Sequence, residues 1–322
     1  MRLVGLALPQ ASSPRPAASI ARDCDNGVGR RNDGGTGLSL REIDLRYLGT
    51  RRAICCYLSI EGRWLVDPGP ELTHRQLLAA LPAGWAPERI LLTHIHFDHA
   101  GATGRLLETW PDVEVWVHER GAEHLVDPSR LLASAHRIWE HDFPRLWGEV
   151  VPVPQQCLRV LCGGESIDDW SVVYTPGHAA HHVTYLHEGS GTAFVGDVAG
   201  ALIGDGPLLP ASPPPDIDRE LWLRSVDVVA GLAPRRLALT HFGLKDGVEA
   251  HLSAFREQLV RWSEAARETD AAGFAASTRK AMVLATSNPE VLDAYERANP
   301  PDTLWGGWAR YWRNQDAKVA GR

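Results

Sequence analysis

Residues 93–101 read Thr-His-Ile-His-Phe-Asp-His-Ala-Gly, so three imidazoles and a carboxylate fall within six positions directly after a short apolar run at 89–93. Polar side chains at that density are costly to bury without partners. The segment therefore reads as a loop that aims ligands into a cleft. His94 and His96, two apart, point the same way while the chain stays extended, and Asp98 and His99 swing round where it turns into the next helix. That arrangement suits two adjacent metal ions, each taking part of the cluster. A histidine-rich loop in open solvent is the ordinary alternative, and only the rest of the chain can decide between them.

Three more residues stand where such a cleft needs them. His178 follows Thr175-Pro176-Gly177 at the end of an apolar run, Asp197 follows Phe194-Val195-Gly196, and His241 follows Leu239-Thr240. Glycine before Asp197 lets the backbone approach a neighbour closely. Each residue alone has a bland explanation, as a turn cap or a satisfied surface group. Together with the first cluster they do not.

The intervening pattern is that of an α/β body. Residues 51–60 and 63–66 form a β-hairpin about Glu61-Gly62. Strands are expected at 89–93, 113–117, 171–175, 183–187, 192–195 and 236–239, and helices at 72–81, 104–109 and 121–135. An irregular loop is expected at 207–215. Beyond His251 the texture turns helical, at 252–269, 275–285, 289–297 and 303–313. Residues 1–42 are rich in Pro, Ser, Gly and Arg without an apolar period, the composition of a tail that stays disordered. The expected division is thus a tail at 1–42, a catalytic domain at 43–251 and a helical region at 252–322.

Charge narrows the function. Against 33 Lys and Arg stand 40 Asp and Glu, a net charge of −7, so no sequence-wide positive field exists to gather a nucleic-acid backbone. The partner expected is a small-molecule substrate, with neither nucleic acid nor membrane. Five cysteines without a C-x-x-C pair suit a reducing, cytoplasmic setting. The apolar run at 4–9 is too short for a signal-peptide core, and no stretch has membrane-spanning length.

The ordered series THIHFDHAG, TPGH, VGD and THFG resembles the metal motifs of the metallo-β-lactamase-fold hydrolase superfamily, over about residues 43–251. The resemblance implies a four-layer αββα sandwich with metals along one edge, here followed by a helical appendage. It implies that His94, His96 and His178 hold one metal, that Asp98, His99 and His241 hold the other, and that Asp197 bridges them. Asp67, in the Val66-Asp67-Pro68-Gly69 turn, resembles the family's carboxylate that orients a ligand imidazole; a simple hairpin-terminating aspartate is the alternative. His181 and His182 lie close enough to His178 to support a ligand. An aspartate at position 197 resembles the glyoxalase II and lactonase branch and not the true β-lactamases.

Two divalent ions, offset by two carboxylates and a bridging hydroxide, leave such a site net positive and attractive to an anionic transition state. Nitrogen and oxygen ligands without thiolate suit zinc, and also iron, manganese, cobalt or nickel. Metal-bound water has its pKa lowered toward about 7, so the expected enzyme is a dinuclear hydrolase. Its bridging hydroxide attacks an ester, thioester or lactone, with Asp98 orienting the nucleophile and carrying a proton. A mononuclear iron oxidoreductase resembling the persulfide dioxygenases, or a phosphodiesterase of the same fold, is the alternative. Trp305, Trp308 and Trp312 share one face of the last helix, either as packing or as a lid. His118 reads as a surface residue where a helix begins, and His124 and His136 as structural or substrate-facing groups.

Overall fold

In the computed structural model, which describes residues 39–320, twelve strands form two six-stranded sheets. The first comprises β1 (Leu40–Asp44), β2 (Cys55–Ser59), β3 (Trp64–Val66), β4 (Arg89–Leu91), β5 (Glu114–His118) and β6 (Leu158–Leu161), in that order across the sheet. The second comprises β7 (Ser166–Ile167), β8 (Trp170–Tyr174), β9 (Val183–His187), β10 (Thr192–Gly196), β11 (Arg236–Leu239) and β12 (Gly243–Lys245), again in sequence order. Strands β3 to β6 run parallel, as do β10 and β11, and the remaining pairs are antiparallel.

The sheets pack face to face because their inward positions are aromatic and aliphatic. The Trp64 ring lies 5.1 Å from Trp170 and 5.4 Å from Phe194, both edge-on, and Tyr57 meets Phe194 in the same way at 5.4 Å. A buried phenol needs a partner, and each inter-sheet tyrosine finds a carbonyl on the opposite sheet. Tyr57 donates to Leu239 at 2.6 Å and Tyr185 donates to Leu92 at 3.1 Å. Two backbone bonds join the layers, Val183 N–H to the Thr93 carbonyl and Cys55 N–H to the Thr240 carbonyl, both at 2.8 Å. Each accepting threonine precedes a histidine of the cluster.

Helices cover the outer faces: α1 (His74–Ala80), α2 (Phe97–Ala100), α3 (Thr103–Thr109), α4 (Glu119–Val126), α5 (Ser129–Trp139), α6 (Phe143–Trp147), α7 (Arg219–Gly231) and α8 (Val248–Glu268). Three more follow: α9 (Ala271–Ala285), α10 (Pro289–Ala298) and α11 (Pro301–Ala320). The architecture is the αββα sandwich with C-terminal helices that the motifs implied. Among the described residues no helix is long and apolar enough to cross a membrane.

Several local expectations are corrected. The first strand starts at Leu40 and pairs with β2 from Leu40↔Ser59 onward, so residues 40–42 belong to the sheet. The rest of the expected tail, 1–38, lies outside the described residues. The helix expected at 121–135 is two, broken at Asp127-Pro128: proline disfavours helical backbone at the residue before it, and Asp127 accepts from Ser129 N–H at the start of the next helix. Strands β6, β7 and β12 were not foreseen, being short and without clear alternation.

The tryptophan stripe resolves as packing. Trp308 is fully buried and stacks on Trp222 of α7 at 6.1 Å and 15°. Trp305 and Trp312 donate their indole N–H groups to carbonyls of α8 and of its C-terminal end, at Ala266, Thr269 and Ser263. Trp308→Ala is expected to lower unfolding free energy by about 3–5 kcal/mol, as large-to-small core changes do, measured as a shift of the urea midpoint.

Candidate metal centre

Every residue of the expected cluster lies just past the C-terminal end of a strand. Asp67 follows β3, residues 94–99 follow β4, His178 follows β8, Asp197 follows β10 and His241 follows β11. Since β3 and β4 run parallel, as do β10 and β11, these ends converge on one edge of the sandwich. The four-residue α2 turns the chain so that Asp98 and His99 face back toward His94.

The side chains gather into three overlapping groups, His94–His96–His178, Asp98–His99–His241 and, linking them, His94–His99–Asp197. In the first, His94 Nε2 and His96 Nδ1 are 3.0 Å apart, and His178 Nε2 lies 3.3 Å from the former and 3.0 Å from the latter. In the second, Asp98 Oδ2 lies 3.3 Å from His241 Nε2 and 3.8 Å from His99 Nε2. Asp197 stands between them with its oxygens divided. Its Oδ2 is 3.4 Å from His178 Nε2, while Oδ1 is 3.4 Å from His99 Nε2 and 3.5 Å from His241 Nε2. Ligands about 2.0–2.1 Å from a tetrahedral ion are themselves roughly 3.3 Å apart, the spacing found in both groups.

Tautomers follow from the outer hydrogen bonds. Carbonyl and carboxylate oxygens only accept, so His178 Nδ1 donates to Ala211 O at 2.8 Å, His241 Nδ1 to Ala53 O at 2.9 Å, and His99 Nδ1 to Asp67 Oδ2 at 2.8 Å. The Thr93 hydroxyl spends its proton on Asp67 at 2.7 Å and accepts from His94 Nδ1 at 3.1 Å. With Nδ1 so engaged, each of these rings in its neutral form carries its lone pair on Nε2, pointing inward. The Nε2 atoms of His99 and His241 and Oδ1 of Asp197 are buried without a hydrogen-bond partner. A polar atom in that condition costs about 1–3 kcal/mol, which a cation at the same place removes. The residues present therefore fit a metal.

Electrostatics divides the two groups. Burial pushes the His94, His96 and His178 imidazoles down, His178 to about 4, so these rings are neutral donors. At His99 and His241 burial acts in the same direction, but the Asp197 and Asp98 carboxylates outweigh it and hold both rings up. Burial acts to raise Asp197, and the surrounding histidines hold it well below the usual carboxylate range. The centre is built to offset positive charge.

Asp67 is fully buried and is no mere hairpin stop. It accepts from Thr93 N–H at 2.9 Å, from the Thr93 hydroxyl, from the Thr240 hydroxyl at 3.0 Å and from His99. Thr93 and Thr240 escaped the sequence reading, although the repeated Thr-His pair at 93–94 and 240–241 was a signal for both. The Ala53 and Ala211 carbonyls carried no signal. At Gly196 an added Cβ would collide with the Thr93 hydroxyl and approach His182 Nε2 to 2.8 Å.

His181 lines the cavity next to the centre, and Ile95 N–H points to its Nδ1 at 3.4 Å. The His182 ring packs 5.1 Å from His94, with Nδ1 2.9 Å from the Thr175 hydroxyl. His118 accepts from Arg120 N–H at the start of α4 and stacks on Tyr174. His124 faces the cavity, and His136 packs against Phe143.

A cavity of about 310 Å³ opens on His96, Asp98 and Asp197. Its walls are predominantly apolar: Leu131, Ile138, Trp139 and Trp147 from α5 and α6, Pro213–Pro215 from the loop after β10, and Leu304 from α11. Arg130 and Arg297 line it with positive charge and Asp216 and Glu296 with negative.

The family described as the Metallo-beta-lactamase superfamily matches residues 61–241. A hydroxyacylglutathione hydrolase of Xylella fastidiosa (strain M12) is 34% identical over 149 residues, 46% of this chain and 45% of that protein. The uncharacterized protein YobT of Bacillus subtilis (strain 168) is 29% identical over 195 residues, 58% of this chain and 82% of that protein. The chain thus spans less than half the length of the named hydrolase. Among solved structures, an archaeal metallo-beta-lactamase superfamily protein of Sulfolobus tokodaii shares the fold with a TM-score of 0.63 at 21% identity, covering 84% of this chain and 98% of that one.

Asp67→Asn keeps the shape of the buried group but replaces an accepting oxygen with an amide NH₂. It is expected to weaken metal affinity about 10–100-fold, measured by competition against a chromogenic chelator.

Proposed function

The chain belongs to the metallo-beta-lactamase superfamily, and from that premise we propose that it is a dinuclear metal-dependent hydrolase of esters, thioesters or lactones with an apolar acyl group. The observation that carries the reading is the divided Asp197 carboxylate, one oxygen toward each ligand group. On this reading His94, His96 and His178 would hold one ion, Asp98, His99 and His241 the other, and Asp197 would be shared between the two groups. Zinc suits this nitrogen and oxygen set.

When bound, two such ions polarise a carbonyl oxygen and supply hydroxide near neutral pH. The chain's own groups do the rest. Asp67 and the Ala53 and Ala211 carbonyls keep the imidazole lone pairs aimed inward. Asp98 is the carboxylate of the centre with the greater exposure, its side chain 17% exposed against 4% for Asp197. It takes the proton of the attacking water and returns it to the leaving group. The apolar walls hold the acyl part and exclude bulk water, which strengthens the electrostatics within. The hydroxyacylglutathione hydrolase relatives support acyl transfer to water; the apolar walls favour a less polar substrate than the one those names imply.

A mononuclear iron oxidoreductase would need only part of this set. The complete second group, with His99 and His241 both oriented from outside, favours two ions. Elemental analysis of the purified protein is expected to find two metals per chain; a single iron together with oxygen uptake overturns the reading. His96→Ala and Asp197→Ala are each expected to lower turnover by at least about 1000-fold with an unchanged circular dichroism spectrum. Chelation is expected to abolish turnover and added zinc to restore it. For the acyl pocket, each buried methylene contributes about 0.8 kcal/mol, so kcat/KM for 4-nitrophenyl hexanoate should exceed that for the acetate by at least about tenfold; equal values exclude an apolar acyl site.

A further inference from the structure

The chain has six tyrosines. Five hydroxyls have protein partners: Tyr57 donates to Leu239 O, Tyr174 to Ala180 O, Tyr185 to Leu92 O, Tyr295 to Pro207 O and Tyr311 to Glu220. Tyr47 makes no hydrogen bond through its hydroxyl to any described residue, although the residue is only 1% exposed. A buried phenol ordinarily finds a partner. Instead Tyr47 lines the cavity with His96, Asp98 and Asp197.

The backbone around it is arranged for presentation. Arg46 and Leu48, on either side, have φ of 47° and 52°. That left-handed conformation costs a residue other than glycine about 1–3 kcal/mol. It is imposed from outside: Asp44 accepts from Arg46 N–H at 3.1 Å and Arg52 N–H at 3.0 Å, and Leu45 N–H bonds the Ile54 carbonyl at 3.0 Å. The Tyr47 ring is clamped by Trp147, stacked at 5.8 Å and 18°. Burial raises the phenol's pKa, the negative charge of Asp98 adds to the rise, and Arg145 and Arg297 oppose it. The net direction is up, so the hydroxyl stays protonated and is a donor at neutral pH.

We propose that Tyr47 is a catalytic residue, whose Oη donates a hydrogen bond to the substrate carbonyl oxygen under attack beside Asp98. The proton stays on the phenol throughout, and the bond strengthens as negative charge gathers on the acceptor. The position is pre-set, since strained backbone, stacked ring and unpaired hydroxyl all precede the substrate. The inference rests on the hydrolase reading above.

Tyr47→Phe removes the hydroxyl and keeps the ring, so the fold loses no hydrogen bond and Tm should not move. With zinc-loaded protein and 4-nitrophenyl hexanoate, kcat is expected to fall about 100-fold with little change in KM; an unchanged kcat overturns the proposal. Calorimetric titration of the zinc-loaded protein with hexanoate, an acid of the product class, gives a readout independent of turnover. There Tyr47→Phe is expected to weaken binding about tenfold, and equal binding by the two proteins, or none by the wild type, overturns the proposal. If the wild type cleaves no ester, thioester or lactone, the hydrolase reading fails by itself, and the hexanoate titration still decides whether Tyr47 meets a ligand oxygen.

Discussion

A carboxylate with no exposure to water and four hydrogen bonds holds this molecule's working edge together. Asp67 follows β3, Thr93 and His99 follow β4, and Thr240 follows β11 in the other sheet. A carboxyl group so buried is tolerable only when its hydrogen-bonding capacity is filled. The donors that fill it belong to the segments carrying the candidate metal-site histidines. The same contacts that make the aspartate affordable therefore set the direction of His94 and His99. Cross-sheet bonds from Val183 and Cys55 to the carbonyls of Thr93 and Thr240 extend the constraint into the backbone of both layers.

This explains why the centre was legible in the sequence and its support less so. Ligand residues must be chemically specific, so His94, His96, Asp98 and His99 stood out from one short segment, and His178, Asp197 and His241 from their places after apolar runs. Geometry brings all seven together. What orients them is largely backbone: the Ala53 and Ala211 carbonyls have no residue-type signature, and an alanine at either position says nothing. Asp67 was visible as a candidate but ambiguous, because its role depends on hydroxyls that lie 26 and 173 positions away along the chain.

The fold was legible where period and punctuation agreed. Strands β9 and β11 lie where their apolar runs predict, and the hairpin of β2 and β3 closes near Glu61-Gly62. Misreadings occurred where a short element lacked contrast. The strand β1 is half exposed and polar, and it is specified by its pairing with β2 rather than by its own composition. The break between α4 and α5 was written in Asp127-Pro128 but masked by a helical apolar pattern on both sides. Tyr47 could not be read as functional at all, since an unpaired hydroxyl is a property of surroundings assembled from distant segments.

Those surroundings are drawn from the turn after β1, from α5 and α6, from the proline-rich stretch at 213–215 and from the junction of α10 with α11. Of the seven side chains of the centre, only His96, Asp98 and Asp197 also border the cavity. The candidate metal ligands and the cavity walls are thus nearly separate inventories of residues. Mutation can remodel the enclosure, one remote stretch at a time, while the histidine and aspartate cluster beneath it is left intact, so chains built on this plan can change what the cavity admits without touching the residues at its floor.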